Sequence, residues 1–264
     1  MTSILSRRAA AVVLTAAAAA TVLAGCGGVG ARLTFNDTEK VKITEIVLTG
    51  ASGDVMVRTA PIAETRITRV IHRNSDPAQT YRLEGTVLHI DTDCGRNCSV
   101  SYDIEAPAGV AVRGELKSGD VALDGVGATD VMLTSGDVMV RNATGKVRVQ
   151  GTSGDISVLD GRAGADIRTT SGDVRAINIA GGPVSAVVTS GDVDVKLTTA
   201  TSVTAQTTSG DVNVIVPTGS YRIAADTGSG DDQIVGVTND PASANVITLR
   251  TRSGDATLSG APAA

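Results

Sequence analysis

The tripeptide Ser-Gly-Asp occurs nine times in this 264-residue chain, and that repetition is the strongest constraint on its fold. From the second copy onward, successive copies are 17 to 24 residues apart. A near-constant period of about 20 residues is typical of proteins that stack one structural unit per repeat. The copies begin at Ser52, Ser118, Ser135, Ser153, Ser171, Ser190, Ser209, Ser229 and Ser253.

Alternating apolar and polar residues flank the tripeptides on both sides. After the third copy the apolar positions are Val138 and Val140, and before it they are Val131 and Leu133. Period-two alternation on each side of a fixed corner indicates two short strands that bury one face. One such coil cannot bury its own apolar face, whereas stacked coils share a continuous core.

The predicted fold is therefore all-β. Strands of neighbouring coils would pair in parallel, and crossovers between parallel strands are strongly biased to the right-handed form. We predict a right-handed parallel β-solenoid, or β-helix, of about eight coils of 17–24 residues across residues 111–258. Coils with two sheets and coils with three sheets both fit this pattern.

The repeated corner has a structural explanation. Glycine adopts a positive φ where a chain turns sharply, and Ser and Asp side chains accept hydrogen bonds from backbone N–H groups that the turn leaves unpaired. A carboxylate ladder that binds calcium is the alternative, but the nonapeptide pattern of calcium-binding β-rolls is absent. We therefore predict no metal site and a melting temperature that is insensitive to EDTA. The predicted structural corner residues are Asp54, Asp120, Asp137, Asp155, Asp173, Asp192, Asp211, Asp231 and Asp255.

The N-terminus is predicted to be an export signal. Arg7 and Arg8 precede an apolar run that ends in Leu-Ala-Gly-Cys at Cys26, which resembles the bacterial lipobox. In such signals the peptide is cleaved before the cysteine, whose attached acyl chains hold the protein on the membrane. We predict a signal peptide over residues 1–25, then a lipidated Cys26 and a flexible tether over residues 26–40. An ordinary secretory signal is the alternative, and general and twin-arginine export are both left open.

Charge and aromatic content exclude several classes of function. Without residues 1–25 the chain has 21 Lys and Arg against 28 Asp and Glu, and this net charge of −7 argues against nucleic-acid binding. The four aromatic residues are Phe35, Tyr81, Tyr102 and Tyr221. Enzymes that act on polysaccharides usually combine acid/base carboxylates with aromatic platforms, so this scarcity disfavours them. No cofactor is predicted.

Cys94 and Cys98 are predicted to form a disulfide. Alternating runs over residues 86–91 and 99–104 flank them, and the Gly-Arg-Asn between them suits a tight hairpin loop. Facing residues of a hairpin lie at a distance that a disulfide spans. A metal site or a redox switch is the alternative, but a metal needs more ligands, and His72 and His89 are the only histidines.

Two segments of the chain do not follow the regular repeat spacing. Residues 41–110 are predicted to be irregular first coils that cap the N-terminal end, braced by the disulfide hairpin, because exposed strand edges at the end of a solenoid invite aggregation. A separate small β-domain is the alternative. Residues 259–264 are predicted to be a loose tail.

The runs Ser-Gly-Asp-Val at Ser118, Ser135 and Ser190 resemble the repeats of a bacterial putative-adhesin family of envelope proteins. The segment from Tyr102 to Gly109, a strand that ends in a proline just before the repeats, is similar to the same family. The resemblance covers roughly residues 40–258 and implies a β-solenoid at the cell envelope. Because the adhesin label follows shape, it implies little about the ligand.

The predicted function is that of a non-enzymatic lipoprotein anchored to the bacterial cell membrane, outside the cytoplasm. It would act as a rod-shaped, adhesin-like interaction module. Its partners would be the membrane, through the N-terminal lipid, and an envelope protein or wall polymer. A passive structural or sensing component is the alternative, and a polysaccharide-active β-helix enzyme is less favoured. No catalytic residue is predicted.

Overall fold

A computed structural model describes residues 31–73 and 79–262 of the chain. Every regular element in these residues is a β-strand, so the prediction of an all-β chain is confirmed. The strands form two twelve-stranded sheets, which decides between the two-sheet and three-sheet alternatives. No helix in the described residues is long and apolar enough to cross a membrane.

The strands are numbered in chain order. They are β1 (Ala31–Glu39), β2 (Glu45–Thr49), β3 (Val55–Ala60), β4 (Thr65–Arg73), β5 (Tyr81–Glu84), β6 (Val87–Asp91), β7 (Ser99–Pro107), β8 (Ala111–Ser118), β9 (Val121–Asp124), β10 (Thr129–Ser135), β11 (Val138–Arg141), β12 (Val147–Ser153), β13 (Ile156–Leu159), β14 (Ala165–Ser171), β15 (Val174–Ile179), β16 (Val184–Ser190), β17 (Val193–Leu197), β18 (Val203–Gln206), β19 (Val212–Pro217), β20 (Ser220–Ser229), β21 (Asp232–Val235), β22 (Thr238–Asn239), β23 (Val246–Ser253) and β24 (Ala256–Ala261).

The corner tripeptide connects the two sheets. Strands that follow a tripeptide lie in the first sheet, whose order is β1-β4-β7-β3-β9-β11-β13-β15-β17-β19-β24-β21. Strands that precede a tripeptide lie in the second sheet, whose order is β22-β20-β23-β18-β16-β14-β12-β10-β8-β2-β6-β5. Neighbouring strands in the repeats pair in parallel, as predicted. Twelve strands at the usual spacing give a stack roughly 50 Å long.

The core lies between the two sheets and is built from the predicted inward positions. Val138 and Val140 of β11 face Val131 and Leu133 of β10, and each is at most 1% exposed. Valine, isoleucine, leucine and alanine side chains fill most of this interior, and Tyr102 and Tyr221 are buried in it as well. Ile223 occupies an inward position of β20 but is only partly buried, because β20 lies near the end of the second sheet.

Glycine is required at the corner for two reasons, which Gly154 illustrates. Its φ is +124°, a conformation that residues with a Cβ rarely adopt. A Cβ at this position would also overlap the carbonyl oxygen of Gly136 in the neighbouring coil. The close stacking of corner backbones therefore depends on the missing side chain.

The N-terminal strands join the same two sheets. β2 pairs with β8, and β3 pairs with β9, so the coil that contains Ser52 lies directly against the first regular repeat. The prediction that residues 26–40 form a flexible tether is wrong for residues 31–39, which form β1 and pair antiparallel with β4. Leu33 and Phe35 alternate with polar residues there, both are half-buried, and Phe35 packs against the core, so this segment has a covered face.

The disulfide between Cys94 and Cys98 is present, with their Cα atoms 5.3 Å apart. The predicted hairpin around it is wrong, because β6 and β7 belong to different sheets. A single antiparallel bridge between Asp93 and Ser99 closes the small loop. The alternation on both sides of the cysteines therefore marks a corner between sheets and not a turn within one sheet.

The order of coils at the C-terminal end departs from the order of the sequence. β23 lies between β18 and β20, and β24 lies between β19 and β21, so the last coil is inserted between two earlier ones. The prediction of a loose tail over residues 259–264 is wrong for its first part. β24 continues to Ala261, because Gly260 and Ala261 pair with the end of β19.

Candidate interaction surface

Nine corner aspartates form a continuous ladder along the edge where the two sheets meet. Eight backbone N–H groups connect the nine residues: from Asp120 onward, each aspartate donates its N–H to the Oδ1 atom of the preceding member of the row, at 2.8 to 3.1 Å. The order along this Asp ladder is Asp54, Asp120, Asp137, Asp155, Asp173, Asp192, Asp211, Asp255 and Asp231. Eight of the nine carboxylates, all except that of Asp231 at the end of the row, thus satisfy an N–H group that the turn would leave unpaired.

The Asp ladder is exposed and carries charge of one sign. Eight of its nine residues are exposed, and Asp173 is half-buried. None of the nine forms an ion pair with another residue in the described part of the chain. No group of three or more His, Cys, Asp or Glu side chains among residues 31–73 and 79–262 is arranged to hold a metal ion. The ladder is therefore a line of negative charge on the surface.

A second polar assembly lies at the N-terminal end, where Arg69 of β4 is largely buried. Its guanidinium pairs with the Asp37 carboxylate at 2.8 Å and donates to Thr80 Oγ1 at 3.0 Å. The same group lies over the rings of Phe35 and Tyr81, at 5.2 and 4.9 Å from their centroids. This N-terminal cluster joins β1, β4 and β5, so its role is to hold the end strands together.

Two tyrosines at this end have perturbed acidity. Burial raises the pKa of Tyr102 to about 12, and its hydroxyl donates to the backbone carbonyl oxygens of Thr80 and Asp91. Burial, together with the carboxylates of Asp37 and Glu39, raises the pKa of Tyr81 well above its usual range. Both hydroxyls are therefore protonated hydrogen-bond donors at neutral pH.

A pocket of about 340 Å³ opens on the outer face of the first sheet, where β4, β7, β3 and β9 lie side by side. Its surface is mostly apolar, and Met56, Val70 and Ala122 supply outward-facing apolar side chains. Asp54 and Asp120, the first two members of the Asp ladder, lie at its rim. This methionine pocket is lined by Asp54, Val55, Met56, Val70, Ser101, Tyr102, Asp103, Asp120 and Ala122.

The apolar surface of the methionine pocket continues along the sheet. Met56 is in register with Ala122, and Ala122 is in register with Met139 of the next coil. Met56 is 47% exposed and Met139 is 38% exposed. Exposed methionines are adaptable contact residues in proteins that bind others, so this row is a candidate contact surface.

The candidate residues from the sequence fall in separate places. Cys26 and the signal peptide lie outside the described residues. The disulfide loop lies at a corner between β6 and β7, and no ligand set gathers around it in the described chain. His72 lies exposed on β4, whereas the half-buried His89 has its Nε2 atom 3.4 Å from Glu84 Oε2. The histidines and cysteines therefore do not converge on one site.

The sequence profile of one family matches the chain over residues 24–162 and again over residues 112–259; it is described as Toastrack DUF4097. The chain belongs to this Toastrack family. The two overlapping matches span both the N-terminal strands and the regular repeats, so the Toastrack assignment covers nearly all of the described chain. No curated protein matches the sequence.

Two solved structures are similar to this Toastrack chain. A putative adhesin from Bacteroides fragilis is 15% identical, with a TM-score of 0.47, and the match covers 86% of this chain and 97% of that chain. A putative cell adhesion protein from Clostridium sporogenes is 14% identical, with a TM-score of 0.31, and the match covers 86% of this chain and 99% of that chain.

Sequence reasoning missed the methionine pocket. Its lining comes from four strands that are distant in the chain, because the coil with Ser52 stacks against the repeat at Ser118. One sequence signal was present: Met56 and Met139 both occupy outward positions between two inward valines, where polar residues are usual. Two large apolar residues at equivalent outward positions could have indicated an apolar patch.

Proposed function

We propose that this chain is a non-enzymatic lipoprotein of the bacterial cell envelope that acts as an adhesin-like interaction module. The observation that carries the proposal is the position of β1. This strand begins at Ala31, five residues after Cys26, and forms one end of the first sheet. A lipid on Cys26 would therefore hold one end of a long, rigid stack of strands at the membrane.

The proposed anchor defines an orientation. Five residues span at most about 18 Å when fully extended, so β1 would stay close to the membrane surface. β21 and β22 end the two sheets on the opposite side, roughly 50 Å along the stack. The Asp ladder and the outer faces of both sheets run along this axis, where an envelope protein or wall polymer can reach them.

The proposal includes finer features of the fold. We infer a right-handed solenoid of about eight repeat coils, because parallel crossovers strongly favour that hand. We also infer that β1, β4 and β5 cap the N-terminal end, supported by their antiparallel pairing and by the N-terminal cluster. Eight of the nine corner carboxylates accept a backbone N–H group, which supports a structural role over a catalytic one.

Anchoring is tested with Cys26→Ser in the full chain. We expect the wild-type protein in the membrane fraction and Cys26→Ser in the soluble extracytoplasmic fraction. Wild-type protein that is soluble and lacks a lipid mass on Cys26 would contradict the anchor.

The interaction role is tested by photo-cross-linking in intact cells. A photoreactive residue is placed in turn at Ser157 on the first sheet, at Gln150 on the second sheet and at Gln233 near the far end. We expect a discrete, reproducible partner from at least one position. Capture of abundant neighbours alone, at equal yield from all three positions, would favour the passive structural role.

A further inference from the structure

We infer that the methionine pocket binds a lysine or arginine side chain of a partner polypeptide. The inference deepens the proposed role as an interaction module and rests on it. The shape supports it first, because 340 Å³ lies at the small end of ligand pockets and suits one long side chain better than a cofactor. The apolar walls would pack against the methylene stem of that side chain, as basic side chains commonly pack on apolar surfaces.

The charge at the rim supports a cationic head group. Asp103 is already neutralised, because its Oδ1 atom accepts a hydrogen bond from Arg58 at 2.8 Å. Asp54 and Asp120 have no such counter-ion in the described part of the chain. Asp54 Oδ1 accepts the backbone N–H of Asp120, and Asp120 Oδ1 accepts that of Asp137, which leaves the Oδ2 atom of each available to a ligand.

No basic residue lines the pocket, and the guanidinium of Arg58 beside it is already paired with Asp103. Backbone hydrogen bonds hold both rim carboxylates in place, so little side-chain entropy would be lost on binding. The row from Met56 through Ala122 to Met139 then offers apolar contact to residues that flank the basic side chain. This continuity favours a polypeptide over a small free amine.

The methionines provide a direct readout. After removal of residues 1–25, the chain retains three methionines: Met56, Met139 and Met132. Met56 lines the pocket and Met139 lies in the same row, whereas Met132 is 44% exposed on β10 in the second sheet. Carbon-13 labelling of the methionine methyl groups in the full chain, purified in detergent, gives one NMR resonance for each of these three methionines.

The probe is the acetylated and amidated peptide Gly-Leu-Lys-Leu-Gly. We expect it to shift the methyl resonances of Met56 and Met139 in a saturable way and to leave Met132 unmoved. A matched peptide with glutamate in place of lysine should bind at least about tenfold more weakly, because the like charge meets Asp54 and Asp120. Equal shifts of all three methionines, or no saturable shift at all, would overturn the inference.

Two matched double variants test whether the peptide binds at the pocket or is attracted by the negative charge of the whole Asp ladder. The double variant Asp54→Asn with Asp120→Asn keeps both acceptor oxygens and should weaken peptide binding about tenfold. The control double variant Asp192→Asn with Asp211→Asn removes the same charge from distant coils and should change the affinity less than about twofold. Equal weakening by the two double variants would show that the whole Asp ladder attracts the peptide without a pocket.

Two further results keep this inference distinct from the proposed function. If n-butylamine alone binds as tightly as the peptide, the pocket recognises an amine and not a polypeptide, and the inference is wrong. If photo-cross-linking captures a discrete partner only through Gln150 or Gln233 while the peptide fails to bind, the interaction role stands and the pocket assignment falls.

Discussion

The backbone N–H of Asp155 donates to Asp137 Oδ1 at 2.8 Å, although the two residues are 18 positions apart in the chain. The same bond joins every neighbouring pair of corner aspartates, so the repeat period of the sequence becomes a hydrogen-bonded row in space. Stacked carboxylates repel one another, and these backbone donors offset the repulsion.

The first prediction concerns the acceptor oxygen at this position. Asp155→Asn keeps the Oδ1 acceptor for the N–H of Asp173 and removes one charge, so the free energy of unfolding should be unchanged or slightly raised. Asp155→Ala removes the acceptor and should lower it by about 1 kcal/mol. Urea unfolding of both variants checks this. An equal loss in both would mean that charge, and not the hydrogen bond, matters.

A second prediction concerns metal ions. Because a backbone N–H group compensates eight of the nine corner carboxylates, the ladder should need no cation for stability. EDTA should leave the melting temperature unchanged, and added calcium should not raise it. Calorimetric scans with and without each addition are the measurement; a drop of many degrees in EDTA would restore the calcium alternative.

A third prediction concerns corner glycines. Gly154→Ala should lower the free energy of unfolding by more than about 3 kcal/mol, because the added Cβ meets the Gly136 carbonyl and the φ of +124° is unfavourable. Gly85→Ala is the matched control: its φ is +62°, and no atom lies within 4 Å of the new Cβ. That control should cost only about 1 kcal/mol in chemical denaturation. Similar losses would show that stacking distance is unimportant.

A fourth prediction concerns the buried ion pair at the N-terminal end. Asp37 and Arg69 have side chains that are 8% and 15% exposed, so Arg69→Met would leave a buried carboxylate without a counter-ion. The free energy of unfolding should fall by about 3–5 kcal/mol. The double variant Asp37→Leu with Arg69→Met should recover most of that loss. Hydrogen exchange of the backbone amides in β1 would show whether the lost stability is local to this end. If the double variant were as unstable as Arg69→Met, the loss would come from packing and not from the unpaired charge.

A fifth prediction concerns alkaline pH. The pKa of Tyr102 is about 12 in the folded chain, above the ordinary value of 10.0, so the folded state holds this proton more tightly than the unfolded state. The contribution of Tyr102 to stability should therefore be complete below pH 10 and be lost as the pH rises from 10 to 12, by up to about 3 kcal/mol. Tyr102→Phe should make this part of the stability curve less steep. A slope should remain in that variant, because the pKa values of Tyr81 and Tyr221 are also raised.

The repeats could be predicted from the sequence because their determinants are local. Alternation around each tripeptide identifies inward residues such as Val138 and Leu133, and the structure buries both. The pairing of Cys94 with Cys98 was also accessible, since four positions separate them. The actual corner between β6 and β7 could not be predicted. Alternating runs look the same in sequence whether they pair with each other as a hairpin or with strands of different sheets.

The methionine pocket could not be predicted because it depends on contacts between distant segments. Val70 belongs to an antiparallel strand, whereas Met56 and Ala122 belong to parallel coils 66 residues apart. Only the pairing of β3 with both β7 and β9 brings these side chains together.

Local sequence pattern is enough to define the repeating unit of this protein: two short strands, a glycine corner with its aspartate, and a valine-rich inward face. The order in which the units lie side by side depends on the folded chain. The coil with Ser52 joins the regular repeats, and the coil with Ser253 is inserted between those with Ser209 and Ser229. The physical reason is that every unit presents nearly the same edge hydrogen bonds and apolar column. Local chemistry therefore permits many neighbours, and the observed order is seen only in the strand pairing of the folded chain.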